Sequence, residues 1–250
     1  MLDVMGIKPK YSTIQFNLKT SFFDSDISVT TPTVGALLGH KLTTIGPNTM
    51  GRHLIDSRNG VEYAKHFYDI KNLQEVNFSV KDCNQAFHEA IELQSRIRSR
   101  NFSVTECCED MFFTCQVASL PQQNGEQLIQ RLQGEQESRA VSEFRILRQG
   151  LARFRPFLVR GLTYSWDELR YYSSLTALLT KMVQMDLSEE KVETILRSDI
   201  PAKKEEIEPI ISKIESIPRK DRWFIQSDEI VNFPRLLKNW HAYFFLDEIN

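Results

Sequence analysis

Lys41 and Asp69 are the two charged residues whose surroundings best indicate chemistry in this sequence. Lys41 lies in a run whose apolar residues recur with a helical period: Val34, Leu37, Leu38, Leu42 and Ile45. At about 100° per residue these side chains share one helix face, and Lys41 projects from the middle of that face. An ammonium group is rarely buried without a partner, so Lys41 either extends its amine to water or serves a charged ligand in a cleft.

Two helices must position these residues. The first is predicted to begin with Thr31 as its N-cap and Pro32 at its first position, and to end at Gly46-Pro47. The second is predicted over roughly Val61 to Leu73, with Asp69 on the polar face. Lys65 lies four residues before Asp69, so an ordinary surface ion pair between them is the alternative to a functional role.

The residues around Lys41 and Asp69 resemble a known family. Thr31-Pro32, Lys41-Leu42-Thr43 and Pro47-Asn48-Thr49 occur in that order, and the pattern K-x-x-Y-D-I-x-N-L follows from Lys65. Together with the later NFSVTECCEDMFFTC stretch, they resemble the AbiEii/AbiGii-type nucleotidyltransferase toxins. The resemblance covers about residues 28 to 118, and the rest of the chain is similar only in helical character.

The resemblance implies a protein that transfers a nucleoside monophosphate from a nucleoside triphosphate (NTP), with Mg²⁺, to the 3′ end of tRNA, opposed by a cognate antitoxin protein. Lys41 and Asp69 match the family's lysine and aspartate, and they are the expected catalytic residues. Lys41, Asn48, Thr49 and Lys65 are the expected nucleotide-binding residues. A lysine suits this role because it holds a triphosphate as a flexible point charge and offsets charge in the transition state.

One part of the family pattern is missing. Its members have a glycine-rich turn and an Asp-x-Asp whose carboxylates bind metal ions, whereas the first glycine here is Gly6, with no glycine pair after it. Asp24-Ser25-Asp26 has the right letters but precedes the first helix directly, so we expect a solvated acidic turn and no metal ligands. We therefore expect a C-terminal portion of an enzyme, completed by a separate N-terminal half or a second copy, or a homologue with impaired catalysis.

The pattern predicts an α+β fold, in which a remnant of a nucleotidyltransferase sheet at the N-terminus is followed by a mainly α-helical bundle. Residues 11–18 alternate so that Ile14, Phe16 and Leu18 form an inward face, and a second short strand is expected over Ile27 to Thr30. The expected domains are residues 1–78, a partial nucleotidyltransferase-like domain, and residues 79–250, a helical domain. So few strands leave an open sheet edge that invites pairing with another chain.

Two groups of arginines are the candidates for RNA contacts. Arg96, Arg98 and Arg100 end a predicted helix over Lys81 to Arg100, where they also suit the helix dipole. Arg153 and Arg155 belong to a second basic run interleaved with phenylalanines, a composition that suits RNA backbone and stacking contacts. Phenylalanines at these spacings also suit an ordinary helix hairpin. A non-catalytic helical module that binds RNA or protein through these arginines is therefore the alternative to the enzyme.

One sequence motif points to a different family. Arg235 and His241 match the R-x5-H spacing of HEPN-type ribonucleases. Leu236 replaces the polar residue expected after the arginine, and six residues along one helix do not share a face. This spacing is therefore a weak candidate.

Composition bounds the remaining choices. The chain has 250 residues, 41% of them hydrophobic, and a net charge of −2, so any RNA binding must come from a local patch. No stretch is apolar enough to predict a membrane span, and no signal peptide is evident. The four cysteines lack zinc-ligand spacing and are expected to be free and buried, three of them in one helix. These features predict a cytoplasmic protein.

Overall fold

The computed structural model describes residues 12–20, 23–158 and 162–248. This part of the chain is mostly helical, with a small two-stranded antiparallel sheet at its N-terminal end, and its class is α+β. The strands and helices are, in chain order, β1 Thr13–Thr20, β2 Phe23–Pro32, α1 Val34–Thr43, α2 Ser57–Glu75, α3 Val80–Ile97, α4 Val104–Ala118, α5 Gly125–Ile129, α6 Gly134–Phe154, α7 Trp166–Gln184, α8 Glu189–Arg197, α9 Lys204–Ser216, α10 Ser227–Ile230 and α11 Pro234–Phe244.

The hairpin is longer than expected, and it moves the start of the first helix. Thr31 and Pro32 pair with Ile14 and Thr13 in the β1–β2 ladder, so the prediction that they cap and begin α1 is wrong. Thr33 is the N-cap, and its hydroxyl accepts a hydrogen bond from the backbone N–H of Ala36. Strand pairing satisfies the backbone of Thr31, and a neighbouring threonine supplies an equivalent cap.

The two faces of the hairpin also differ from the prediction. Ile14 is 47% exposed and Ile27 is 58% exposed, so the expected inward placement of Ile14 is wrong. The reason is that the helices contact the hairpin chiefly at its base, where the hydroxyls of Ser12 and Thr33 both donate to the carboxylate of Asp82 on α3. The backbone of Asp24–Asp26 lies within β2 and not in a turn, and their side chains lie outside the described part.

Two helix pairs pack through glycines at close range. On α1, a Cβ at Gly39 would lie 2.2 Å from the carbonyl oxygen of Cys83 on α3. Where α2 crosses α6, a Cβ at Gly150 would lie 2.0 Å from the carbonyl carbon of Gly60. Backbone atoms cannot yield to a new methyl group as a flexible side chain can, so these glycines set the spacing of the helices that carry Lys41 and Asp69.

One hydrophobic core runs through the helices. It includes Leu42 and Phe67 before residue 78, and Phe87, Phe144 and Trp240 after it. Residues from both predicted domains therefore pack together, and the division at residue 78 stays a prediction. In the C-terminal part, the buried Arg170 of α7 donates two hydrogen bonds to the carboxylate of Glu229 on α10, which ties the last helices to the bundle.

The cysteines are free and buried, as expected, with one on α3 and three on α4: Cys83, Cys107, Cys108 and Cys115. Burial raises the pKa of the Cys83 and Cys108 thiols to about 12. None of the helices in the described residues has an apolar stretch of sufficient length to cross a membrane.

Candidate functional site

The structure brings Lys41 and Asp69 together, although they are 28 residues apart in the chain. The Nζ atom of Lys41 on α1 lies 2.8 Å from Oδ2 of Asp69 on α2. The side chains are 29% and 27% exposed, so the pair lies at the surface of the α1–α2 contact and within reach of solvent. The bond to Lys41 replaces the local Lys65–Asp69 pair that was the alternative. Lys65 is exposed and, among the described residues, forms no ion pair.

The pair retains capacity to bind a ligand. An ammonium group has three N–H donors, and Asp69 accepts one of them. Within the described residues, Oδ1 of Asp69 accepts no hydrogen bond. A phosphate oxygen and a hydroxyl group could therefore approach Lys41 and Asp69 without first breaking the ion pair.

His66 lies beside this pair, one helical turn before Asp69. Its Nδ1 atom is buried and has no hydrogen-bond partner among the described residues. Burial, and secondly the positive charge of Lys41, lowers the pKa of His66 to about 4. The imidazole is therefore neutral at pH 7, and it adds no positive charge to the site.

The turn that carries Asn48 and Thr49 is organised around the buried carboxylate of Asp110 on α4. Oδ2 of Asp110 accepts hydrogen bonds from the backbone N–H groups of Asn48 and Thr49, at 2.8 and 2.9 Å, and from the Thr49 hydroxyl at 2.9 Å. Oδ1 accepts from Nδ2 of Asn48 at 3.1 Å. Thr49 is buried, and these donors of Asn48 and Thr49 all face Asp110. The structure therefore shows how the turn is held, and a nucleotide-binding role for Asn48 and Thr49 stays a prediction.

Two arginines complete the support of this turn. Arg139 on α6 donates to Asp110 at 2.6 Å and to Glu143, one turn further along α6, at 2.6 Å. Arg98, at the end of α3, donates to the carbonyl oxygens of Thr49, Met50 and Gly51. Burial raises the pKa of Glu143, while Arg139 opposes this shift. The turn after the Lys41 helix is thus held from both sides by charged groups.

The remaining arginines proposed for RNA contact also have protein partners. Arg96 pairs with Glu92, and Arg100 pairs with Glu106. Arg153 donates to the hydroxyl of Ser57, and Arg155 donates to the carbonyl oxygen of Tyr164 at 2.9 Å. All are at least partly exposed, so an RNA phosphate could compete for them, but the structure does not gather them with Lys41 into one patch of direct contacts.

A metal centre has no complete ligand set among the described side chains. No three His, Cys, Asp or Glu residues there could hold a metal ion together. Asp69 pairs with Lys41, and both oxygens of Asp110 accept protein hydrogen bonds. These residues do not fit the clustered carboxylates that two metal ions need, so we derive no step through Mg²⁺.

Comparisons with known proteins add no match, so any functional argument rests on the geometry of the site. The chain matches no known protein family, no curated protein and no solved structure.

Sequence reasoning missed the central role of Asp110. Asp110 lies in the NFSVTECCEDMFFTC stretch, but nothing in the spacing shows that a carboxylate on α4 binds a turn 61 residues earlier. The useful signal was its position in the α4 pattern, where Asp110 falls between Cys107 and Met111 on the buried side of the helix. A carboxylate placed toward a core requires hydrogen-bond donors, and the N–H groups of Asn48 and Thr49, in a turn outside the helices, are suitable donors.

Proposed function

We propose that this chain is a nucleotidyltransferase-like protein of the toxin–antitoxin or phage-defence type, which binds an NTP at Lys41 and Asp69 and uses the 3′ end of tRNA as acceptor. The observation that carries the proposal is the 2.8 Å contact between Lys41 and Asp69. These residues come from two separate motif blocks, and they were expected to act together before any geometry was considered. Partial exposure leaves the pair accessible to a ligand.

Lys41 and Asp69 have different roles in this proposal. Lys41 contacts the triphosphate and offsets its charge, and Asp69 orients Lys41 or the attacking hydroxyl. Asp110 and Arg98 act on this site indirectly, because they fix the turn in which the Lys41 helix ends. Transfer by this chain is proposed to be impaired, because the described side chains offer no cluster of carboxylates for metal ions.

The alternative is a helical module that binds RNA or protein without catalysis. Each of the arginines proposed for RNA contact has a separate protein partner. Glu92 and Glu106 offset the charge of Arg96 and Arg100, which weakens their attraction for a phosphate. The nucleotidyltransferase-like function therefore has better support.

The proposal is tested by incubating the chain with tRNA, Mg²⁺ and α-labelled NTPs. The same NTPs with a photoreactive base are used in parallel for crosslinking. tRNA whose 3′-terminal diol has been oxidised with periodate is the matched control, since it cannot accept a nucleotide. We expect crosslinking of the NTP that is lost in Lys41→Met, together with little or no labelled tRNA.

The crosslinking and labelling results separate the proposed site from the proposed acceptor. Crosslinking that requires Lys41 supports the proposed site. Strong labelling of intact tRNA, absent from the oxidised control, would support the acceptor and overturn the proposal of impaired transfer. A chain that neither crosslinks nor transfers would overturn the nucleotidyltransferase-like function.

A further inference from the structure

A cleft lies apart from the Lys41–Asp69 pair, although two of the helices that line it, α4 and α6, also carry Asp110 and Arg139. It has a volume of about 520 Å³ and opens between α4, the start of α6, the end of α7 and the C-terminal segment. One part of its lining is aromatic, formed by Phe113, Trp223, Tyr243 and Phe244. Lys41 and Asp69, on α1 and α2, do not line it. A ligand here would be recognised independently of the proposed NTP.

The aromatic lining suits a planar ring. Phe113, Tyr243 and Phe244 are half-buried and line the cleft, whereas Trp223 is buried. The guanidinium of Arg139 lies 4.2 Å from the Phe113 ring centroid, so Tyr243 and Phe244 are left as the stacking surface and Phe113 borders it. The Phe113 and Trp223 ring centroids lie 6.0 Å apart, at an interplanar angle of 34°. Nucleobases stack favourably on aromatic side chains, and this contact tolerates any base.

Amide groups are available beside these rings. The indole N–H of Trp223 donates to Oε1 of Gln116 at 3.1 Å. Because an indole nitrogen can only donate, this bond fixes the orientation of the Gln116 amide and leaves its NH₂ group free to bind an acceptor. Gln136 is exposed at the cleft and has no hydrogen-bond partner for its side chain in the described part of the chain. It can both donate to and accept from the edge of a base.

The cleft is also lined by charged side chains. Lys181 and Lys220 line it, as do Asp221 and Asp247. Within residues 12–20, 23–158 and 162–248, none of these four side chains belongs to an ion pair. An ammonium group binds a phosphate, and a carboxylate accepts hydrogen bonds from ribose hydroxyls. The two positive charges and the two negative charges balance. The cleft therefore favours one phosphate with its sugar and base over a polyphosphate.

We propose that this cleft binds a single ribonucleotide unit, with the base against Tyr243 and Phe244, its edge at Gln116 and Gln136, and its phosphate at Lys181. The unit is either a free nucleoside monophosphate or an unpaired nucleotide of single-stranded RNA, since both present the same base, sugar and phosphate. This site goes beyond the proposed function and does not depend on it.

Binding is measured by titrating the full chain with AMP, with a ten-nucleotide oligoadenylate RNA and with the corresponding DNA, using calorimetry and tryptophan fluorescence. We expect Lys181→Met to weaken binding by about tenfold, since it removes a charged hydrogen-bond donor. Gln136→Ala is a second variant, and its exposed position keeps the fold intact. Lys81→Met is the matched control, because Lys81 is exposed on α3, away from the cleft.

The probes distinguish the two sources of the nucleotide. Equal affinity for AMP and the RNA identifies a free nucleotide, and tighter binding of the RNA than of AMP or DNA identifies a strand; both results support the site. Binding that is absent at millimolar AMP and with the RNA would overturn it, as would binding that Lys181→Met and Gln136→Ala leave unchanged. Lys41→Met separates the two sites, since it abolishes NTP crosslinking only.

Discussion

Replacing Asp110 with alanine should destabilise the whole protein, although Asp110 is far in sequence from the turn it supports. Its carboxylate accepts four hydrogen bonds from Asn48 and Thr49 and one from Nη2 of Arg139. Only 5% of the Asp110 side chain is exposed, so water cannot readily replace the lost acceptor. The alanine variant leaves the buried N–H groups of the turn, and part of the Arg139 guanidinium, without partners.

The size of the effect follows from burial. Removing one partner from a buried charged pair costs about 3–5 kcal/mol, mainly because the other partner is left unpaired. Arg139 is 27% exposed and keeps its bond to Glu143, so the lower half of this range applies, about 3–4 kcal/mol. For a chain of this length, each kcal/mol lowers the melting temperature by about 2–4 °C. A decrease of roughly 6–16 °C is expected.

The assay is thermal and urea denaturation followed by circular dichroism. Glu109→Ala is the matched control, since Glu109 is the neighbouring carboxylate on α4 and is exposed. Asp110→Asn keeps one acceptor oxygen and should fall between the wild type and Asp110→Ala. If Asp110→Ala lowers the melting temperature no more than Glu109→Ala does, the Asp110 network does not stabilise the turn as described.

Three further predictions follow from helix packing, titration and thiol burial. Gly150→Ala should lower the free energy of unfolding by about 1–3 kcal/mol, because the new methyl group meets the backbone of Gly60; denaturation indistinguishable from wild type would contradict this packing. The folded pKa of His66, about 4, lies below its ordinary value of 6.5, so stability that is complete above pH 6.5 is lost as the pH falls toward 4. At pH 4 this loss is about 3 kcal/mol, so the decrease in stability from pH 7 to 4 should be smaller in His66→Gln than in the wild type by about that amount; equal decreases would contradict the assignment. The thiols should react with a chromogenic disulfide reagent at pH 8 only after unfolding, since burial raises their pKa values; rapid labelling of the native chain would show that they are accessible.

Local sequence signals predicted the existence of the helices better than their ends. α2 extends over Ser57–Glu75, beyond the predicted Val61 to Leu73, because the Asp56 cap starts the helix four residues before the apolar pattern begins. α1 begins later than predicted, because Thr31 and Pro32 pair with β1 as part of β2. In both cases a specific hydrogen bond, and not hydrophobic periodicity, determines the boundary.

The candidate site could be predicted residue by residue but not as a set of contacts. Lys41 and Asp69 were identified from their motif blocks, yet spacing alone favoured Lys65 as the partner of Asp69. The choice between the two lysines depends on how α1 packs beside α2. Contacts between distant segments follow from that packing and cannot be derived from local patterns.

The most direct test of the account is calorimetric titration of each of the four NTPs into wild type, Lys41→Met and the Lys81→Met control, with melting curves for all three. If Lys41 binds the triphosphate, Lys41→Met weakens NTP binding by at least about tenfold. Its melting temperature should change little, because a partly exposed ion pair contributes about 0–1 kcal/mol. Unchanged NTP binding together with a large decrease in the melting temperature would show that Lys41 is a structural residue and would contradict the account.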